Sequence, residues 1–151
     1  MISMEEVQEL FDLRLRLEPW LFREASILIS ETDLDHAVQI VQSMNNVDAK
    51  EWGKLNWDLH ELLYHSAQRP TAMNIVRSLH EKTERYLRFQ VVNAPIRQQA
   101  NDEHLALIEL CRNRQGDIAK AALEQHLRDA ASQILGIVSR LLDTQPNADA
   151  V

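Results

Sequence analysis

Asn56 and His60 stand four residues apart in the stretch LNWDLHELLYHSAQRP, a spacing that stacks an amide and an imidazole on one face of a helix. The chain has six histidines. His36, His65 and His80 each lie off the apolar stripe of their segment or among charged neighbours, and are expected to be solvated. The other three sit on apolar faces. His104 shares a face with Ile108 and Cys111, and His126 shares one with Ala122, Leu123, Ala130 and Ile134, so both imidazoles should point inward. His104 lies 12 residues before Gly116 and His126 lies 10 after it. In an antiparallel hairpin bent at Gly116 both would stand roughly 15–18 Å from the turn and could face each other. His60, 10 residues before Pro70, can reach the same height on its own helix.

Three inward imidazoles and the oxygen of Asn56 would suit a divalent cation. Neutral imidazole is a good ligand for Zn, Ni, Cu or Fe, and the remaining coordination positions can take water or an anion. The competing reading is that each is a hydrogen-bonded core residue, the commoner fate of an inward histidine. Asp58 is no substitute for Asn56, because two residues' separation turns it to nearly the opposite face from His60.

The elements that must position these groups read as helices throughout. Apolar residues at Val7, Leu10, Phe11, Leu13, Leu17, Trp20 and Leu21 approximate helical spacing, and Pro19 is expected to kink or divide that run into segments of roughly 4–17 and 19–30. ETDLDHAVQIVQSM follows, with Thr32 or Asp33 as N-cap, an inward stripe of Leu34, Ala37, Val38, Val41 and Met44, and an end at Asn45-Asn46. A third helix should start near Asp48 and run to about Gln68, where Arg69-Pro70 stops it. The next begins after Pro70, carries Ile75, Val76, Leu79, Tyr86 and Leu87, and stops by VVNAP. A helix from about Ile96 to Asn113 holds Leu105, Leu107, Ile108 and Leu110; Gly116 supplies a turn or C-cap, and the last helix spans about Asp117 to Asp143. Residues 144–151 should fray. With no strand-like alternation and only short connectors, the expected fold is an all-α antiparallel bundle of six or seven helices.

Composition narrows the function. The 151 residues make one domain, 1–151, and carry 16 basic against 23 acidic side chains, a net charge of −7 that opposes attraction to DNA or to an anionic membrane. Cys111 is the single cysteine, so no internal disulfide can form. No apolar run approaches the ~20 residues that span a bilayer, and the opening MISMEEVQEL is acidic rather than a signal peptide. A cytoplasmic protein is expected.

LFDLRLRLEP (10–19), NWDLHELLYHSAQRP (56–70) and EHLALIELCRNRQGDIAKAALEQHL (103–127) together resemble the FCD domain, the C-terminal effector-binding domain of FadR-type regulators in the GntR superfamily. The resemblance runs from about residue 7 to 142. It implies a metal centre in an antiparallel helical bundle, with Asn56, His60, His104 and His126 as ligands of a divalent ion such as Zn, Ni or Mn that helps hold a small carboxylate effector. Asn56 stands where the family more often has Asp, and Gln68-Arg69 where it has Gly-Asn before the proline. Arg14 matches the arginine of the family's Arg-x-x-Leu-Glu word, whose counterpart tends to approach the effector; its fork of donors suits a carboxylate. A surface arginine paired with Glu18 is the alternative. Arg85 is a weaker candidate of the same kind, set against a solvated charge near Glu81 and Glu84. The resemblance further implies a homodimer, and contact with operator DNA only through a winged helix-turn-helix domain that the chain lacks ahead of residue 7, as in a fragment of a longer regulator.

The reading is therefore a regulator's effector-binding and dimerisation domain, not an enzyme. The alternatives are a metal-dependent hydrolase, for which neither Glu61 nor Glu103 is placed as a general base, and a metal-free dimerisation module.

Overall fold

The computed structural model describes residues 3–88 and 94–144. Six α-helices follow one another: α1 (Met4–Ser26), α2 (Glu31–Ser43), α3 (Ala49–His65), α4 (Pro70–Arg88), α5 (Ala94–Arg112) and α6 (Gly116–Thr144), with a 3₁₀ turn at Met44–Asn46 between α2 and α3. Among the described residues there is no strand. The expected end of the fourth helix at VVNAP and the expected frayed tail lie largely outside the described residues.

Local chemistry sets the helix starts. Ser3, Ser30 and Asp48 have extended backbones, and each side chain accepts a hydrogen bond from the amide three residues on, at Glu6, Asp33 and Glu51. The cap of α2 is thus Ser30 rather than Thr32 or Asp33. Pro70 opens α4 at the position where a missing amide proton costs nothing, and Gln68, with φ 55°, turns the chain out of α3 ahead of it.

Two expectations fail. Pro19 does not divide the first helix: α1 is continuous through it. Losing one backbone hydrogen bond to a proline costs about 3 kcal/mol. Burial of Leu10 and Phe11 before the proline, and of Leu21, Phe22 and Ala25 after it, outweighs that. Gly116 is neither turn nor C-cap, since Arg114 takes the left-handed conformation (φ 52°) and Gly116 begins α6. The end of α1 lies close by: a Cβ on Gly116 would come within 3.3 Å of the Ile27 side chain, a tight contact, and at ordinary contact distance, 3.5 Å, from the Arg23 carbonyl.

α1 and α6 pack most extensively and run antiparallel. Arg23 near the end of α1 pairs with Asp117 at the start of α6, while Val7 and Leu10 meet Ile134 and Val138 at the other end. α3, α4 and α5 close around this pair. Two apolar clusters result. The larger is built on Leu21, Phe22, Leu34, Leu59, Leu63, Tyr64, Leu107 and Leu123, the smaller on Val7, Phe11, Leu79, Tyr86, Ile134 and Val138. Leu13, Trp20, Ile75 and Leu105, apolar on helical spacing, nevertheless face outward.

Candidate metal centre

Between the two clusters lies a cavity of about 70 Å³. Trp52 and Leu127 of the larger cluster and Phe11 and Ile134 of the smaller line it, and so do Arg14, Asn56, His60, His80, His104 and His126. α3 supplies His60, α5 His104 and α6 His126, each buried. The imidazole centroids are 5.3 Å apart for His60 and His104, 5.8 Å for His60 and His126, and 4.9 Å for His104 and His126. One nitrogen from each of the three lies within 4.8 Å of the other two, the only such group of potential metal ligands among the described residues. Nitrogens around an ion at about 2.1 Å sit roughly 3–4 Å apart, so small ring rotations suffice to bring them onto one cation.

The hydrogen bonds behind the rings point the same way. Tyr64 donates its hydroxyl proton to Glu18 Oε1 at 2.7 Å. Its oxygen can then only accept from His60 Nδ1, 2.9 Å away. That assigns the His60 proton to Nδ1 and turns an unprotonated Nε2 to the cavity. His126 Nδ1 lies 2.7 Å from Glu103 Oε1, a carboxylate–imidazole pair of the kind that orients metal-bound histidines. His104 is fully buried, yet neither of its ring nitrogens has a partner. A polar ring left unsatisfied in a core costs free energy, and a cation shared with His60 and His126 would satisfy one of its two nitrogens.

The electrostatics favour the neutral form of His60 and His104. Burial, reinforced by His80 and His104, holds His60 well below the ordinary histidine value, and burial with the neighbouring His126 does the same to His104. Neutral imidazole is the form that coordinates metal. Glu18 is the reverse case. Burial alone would raise its carboxyl, but the charge of Arg14 and the contacts with His80 hold it well below the usual range.

Arg14 is buried, not a surface arginine, and its Nε donates to Glu18 Oε2 at 2.6 Å. The guanidinium pairs with Glu18 in the interior and also lines the cavity. Arg85 is exposed and is not among the cavity residues; Thr83 and Glu84 line that wall instead. Asn56 is at the cavity, whereas Asp58 is exposed.

His36 and His65 are exposed as expected, but His80 is not. It is buried, with Nε2 2.8 Å from Glu18 Oε1 and 2.9 Å from Arg14 Nη2. A single ring nitrogen cannot donate to the carboxylate and accept from the guanidinium together, so each tautomer satisfies one of them. Its signal in the sequence was a position four residues after Val76 and three before Thr83, on the buried stripe of α4. Tyr64 likewise follows His60 by one turn, and Glu18 follows Arg14 by one turn. Glu103, set aside above as a general base, had no such signal. It adjoins His104 in sequence but meets His126 across the α5–α6 interface.

The FCD domain family model matches residues 9–129. A solved structure of a transcriptional regulator, a GntR family member from Pseudomonas syringae pv. tomato str. DC3000, superposes with a TM-score of 0.80 at 22% identity, over 92% of this chain and 60% of that one. At that identity the likeness establishes the fold, and this chain spans about 60% of the length of that regulator. No curated protein shows significant similarity to it. No helix among the described residues is long and apolar enough to cross a membrane.

Proposed function

The chain belongs to the FCD domain family, and from that premise we propose that it is the effector-binding and dimerisation domain of a GntR-type transcriptional regulator, sensing a small organic acid through a bound divalent metal. The observation that carries the reading is His104, wholly buried with both nitrogens unpartnered beside two imidazoles whose outer nitrogens are already engaged. Three imidazole nitrogens at one small cavity suit a borderline cation such as Zn or Ni, and also Mn. His60, His104 and His126 would hold it, with Asn56 at the same wall. When bound, the ion supplies an electrophile for a carboxylate oxygen.

The protein's own groups do the rest. Tyr64 and Glu103 fix the tautomers of His60 and His126. Glu18 gathers Arg14, His80 and Tyr64 from three helices, so a ligand that moves any of them shifts α1, α3 and α4 relative to one another. Coupling to DNA would follow by linkage, the effector favouring one arrangement of the intact protein over another. The DNA reader is assigned to a segment outside this chain, and a two-fold dimer to match a palindromic operator.

The test is a thermal-shift screen of organic acids with and without Mn, Ni and Zn, paired with metal analysis of the purified protein. A metal should raise the melting temperature, and a carboxylate should raise it further only when metal is present. Absence of any retained ion after metal loading, together with no acid-dependent shift, would sink the reading.

A further inference from the structure

The three imidazoles sit at one end of their cavity. Gln133 of α6 donates to Gln99 of α5, and Arg97 of α5 donates to the Val47 carbonyl just ahead of α3. The first turns of α3 and α5 therefore lie beside the later turns of α6, and all three helices carry their lining residues from the histidines toward the same end of the bundle. On α3, Trp52 precedes His60 by eight residues, which is about 12 Å of helix. On α5, Ala100 and Ile96 precede His104 by four and eight. On α6, Ala130, Ile134 and Ile137 follow His126 by four, eight and eleven. α1 adds Phe11, one turn before Arg14. The lining thus passes from polar side chains to apolar ones within one to three turns.

The polar groups beyond the histidines are few and mostly engaged. Thr83 donates its hydroxyl proton to the Leu79 carbonyl, Gln133 is bonded to Gln99, and the Glu84 carboxyl group lies in the space over Gly53 on α3. The buried Trp52 indole N–H has no partner, but one donor serves one oxygen. Arg14, the cationic residue of the described lining, stands at the histidine end and is already paired with Glu18. A second carboxylate reaching along the cavity would meet no lysine or arginine among the described lining residues, and a pair of hydroxyl groups would give up water for too few partners. A methylene chain gains by leaving water there. Room is limited as well: about 70 Å³ holds roughly five to seven water-sized groups, and the metal takes the place of one.

We propose that the effector is a short aliphatic monocarboxylate, held by its carboxylate at the histidine end and by its carbon chain along α3, α5 and α6, in preference to dicarboxylates and polyhydroxy acids. The assignment rests on the sensor reading above and names its ligand class.

Four acids make the test: acetate, butanoate, and two that add oxygen to the same four carbons, 3,4-dihydroxybutanoate and succinate. Each is titrated by calorimetry into the nickel-loaded protein, with nickel content measured. A buried methylene strengthens binding about fourfold, so butanoate should bind about fifteenfold more tightly than acetate. The two oxygen-rich acids should each bind about tenfold or more weakly than butanoate. Ala130→Leu and, separately, Ala100→Leu fill the space one turn beyond the histidines; either should bring the butanoate-to-acetate ratio down to about two or less, with nickel content showing that the histidine end is kept. Butanoate no tighter than acetate, or either oxygen-rich acid as tight as butanoate, overturns the ligand class and leaves the sensor reading standing. An unchanged butanoate-to-acetate ratio in both leucine variants overturns the placement of the chain along these helices. Failure of all four acids to bind the nickel-loaded protein at millimolar concentration overturns the sensor reading itself, and this assignment with it.

Discussion

Replacing His104 with leucine should make the metal-free protein more stable and abolish its response to metal. The two side chains are close in volume, so packing around the site changes little. What changes is polarity. In the metal-free protein His104 is fully buried and carries one donor and one acceptor nitrogen, both without partners. An unsatisfied buried polar group costs about 1–3 kcal/mol, and a leucine has none, so a net gain of about 2 kcal/mol is expected after its imperfect contacts with the neighbouring imidazoles. For a chain of this size that corresponds to roughly 4–8 °C in melting temperature. Metal at a hundred times its dissociation constant would stabilise the wild-type protein by about 2.7 kcal/mol, and the His104→Leu protein by far less. Melting curves in chelator and in excess nickel should therefore change order, the variant melting higher in chelator and the wild-type protein regaining or exceeding that temperature in nickel. A variant that melts lower than wild type in chelator would show that His104 is a satisfied core residue, and a variant that keeps the full nickel response would show that it is not a ligand.

Glu18→Ala should be severely destabilising, because it leaves the Arg14 guanidinium buried without its partner; a loss of about 3–5 kcal/mol would appear as a fall of about 2 M in urea midpoint, and a fall under half that would refute the role given to Glu18. Glu103→Ala removes the carboxylate on His126 Nδ1 and should weaken metal affinity by about 10–100-fold in competition with a chromophoric chelator, with little change in the stability of the metal-free protein. Acid should destabilise the metal-free protein early. The folded values of His60 and His104 are depressed by burial, so the stability they contribute is present above the ordinary value of 6.5 and is lost as pH falls below it toward the folded values. Melting temperatures in chelator from pH 8 to pH 5 should show this fall, and it should be shallower in His104→Leu; identical slopes would contradict the assignment. Glu18, also depressed, adds a further loss only below its own ordinary value of 4.5.

Spacing along the chain was enough to determine the all-helical class, the helix ends at Asp48 and Pro70, and the inward faces of His60, His104 and His126, because helical periodicity and capping are local properties. Similar separations from the α5–α6 connection, 12 residues on one side of Gly116 and 10 on the other, were enough to bring His104 and His126 face to face. Only tertiary packing decided whether a local rule would be obeyed. Pro19 was overruled by apolar surface buried on both sides of it, and the turn expected at Gly116 is made at Arg114, with Gly116 packed beside the end of α1. Charged neighbours suggested that His80 was solvated, yet its ring is buried against Glu18 from another helix. Glu103 reaching His126 and Glu84 lodged over Gly53 are contacts between helices. No periodicity within one segment encodes them, because which side chain fills a gap depends on the neighbour that the rest of the bundle brings alongside.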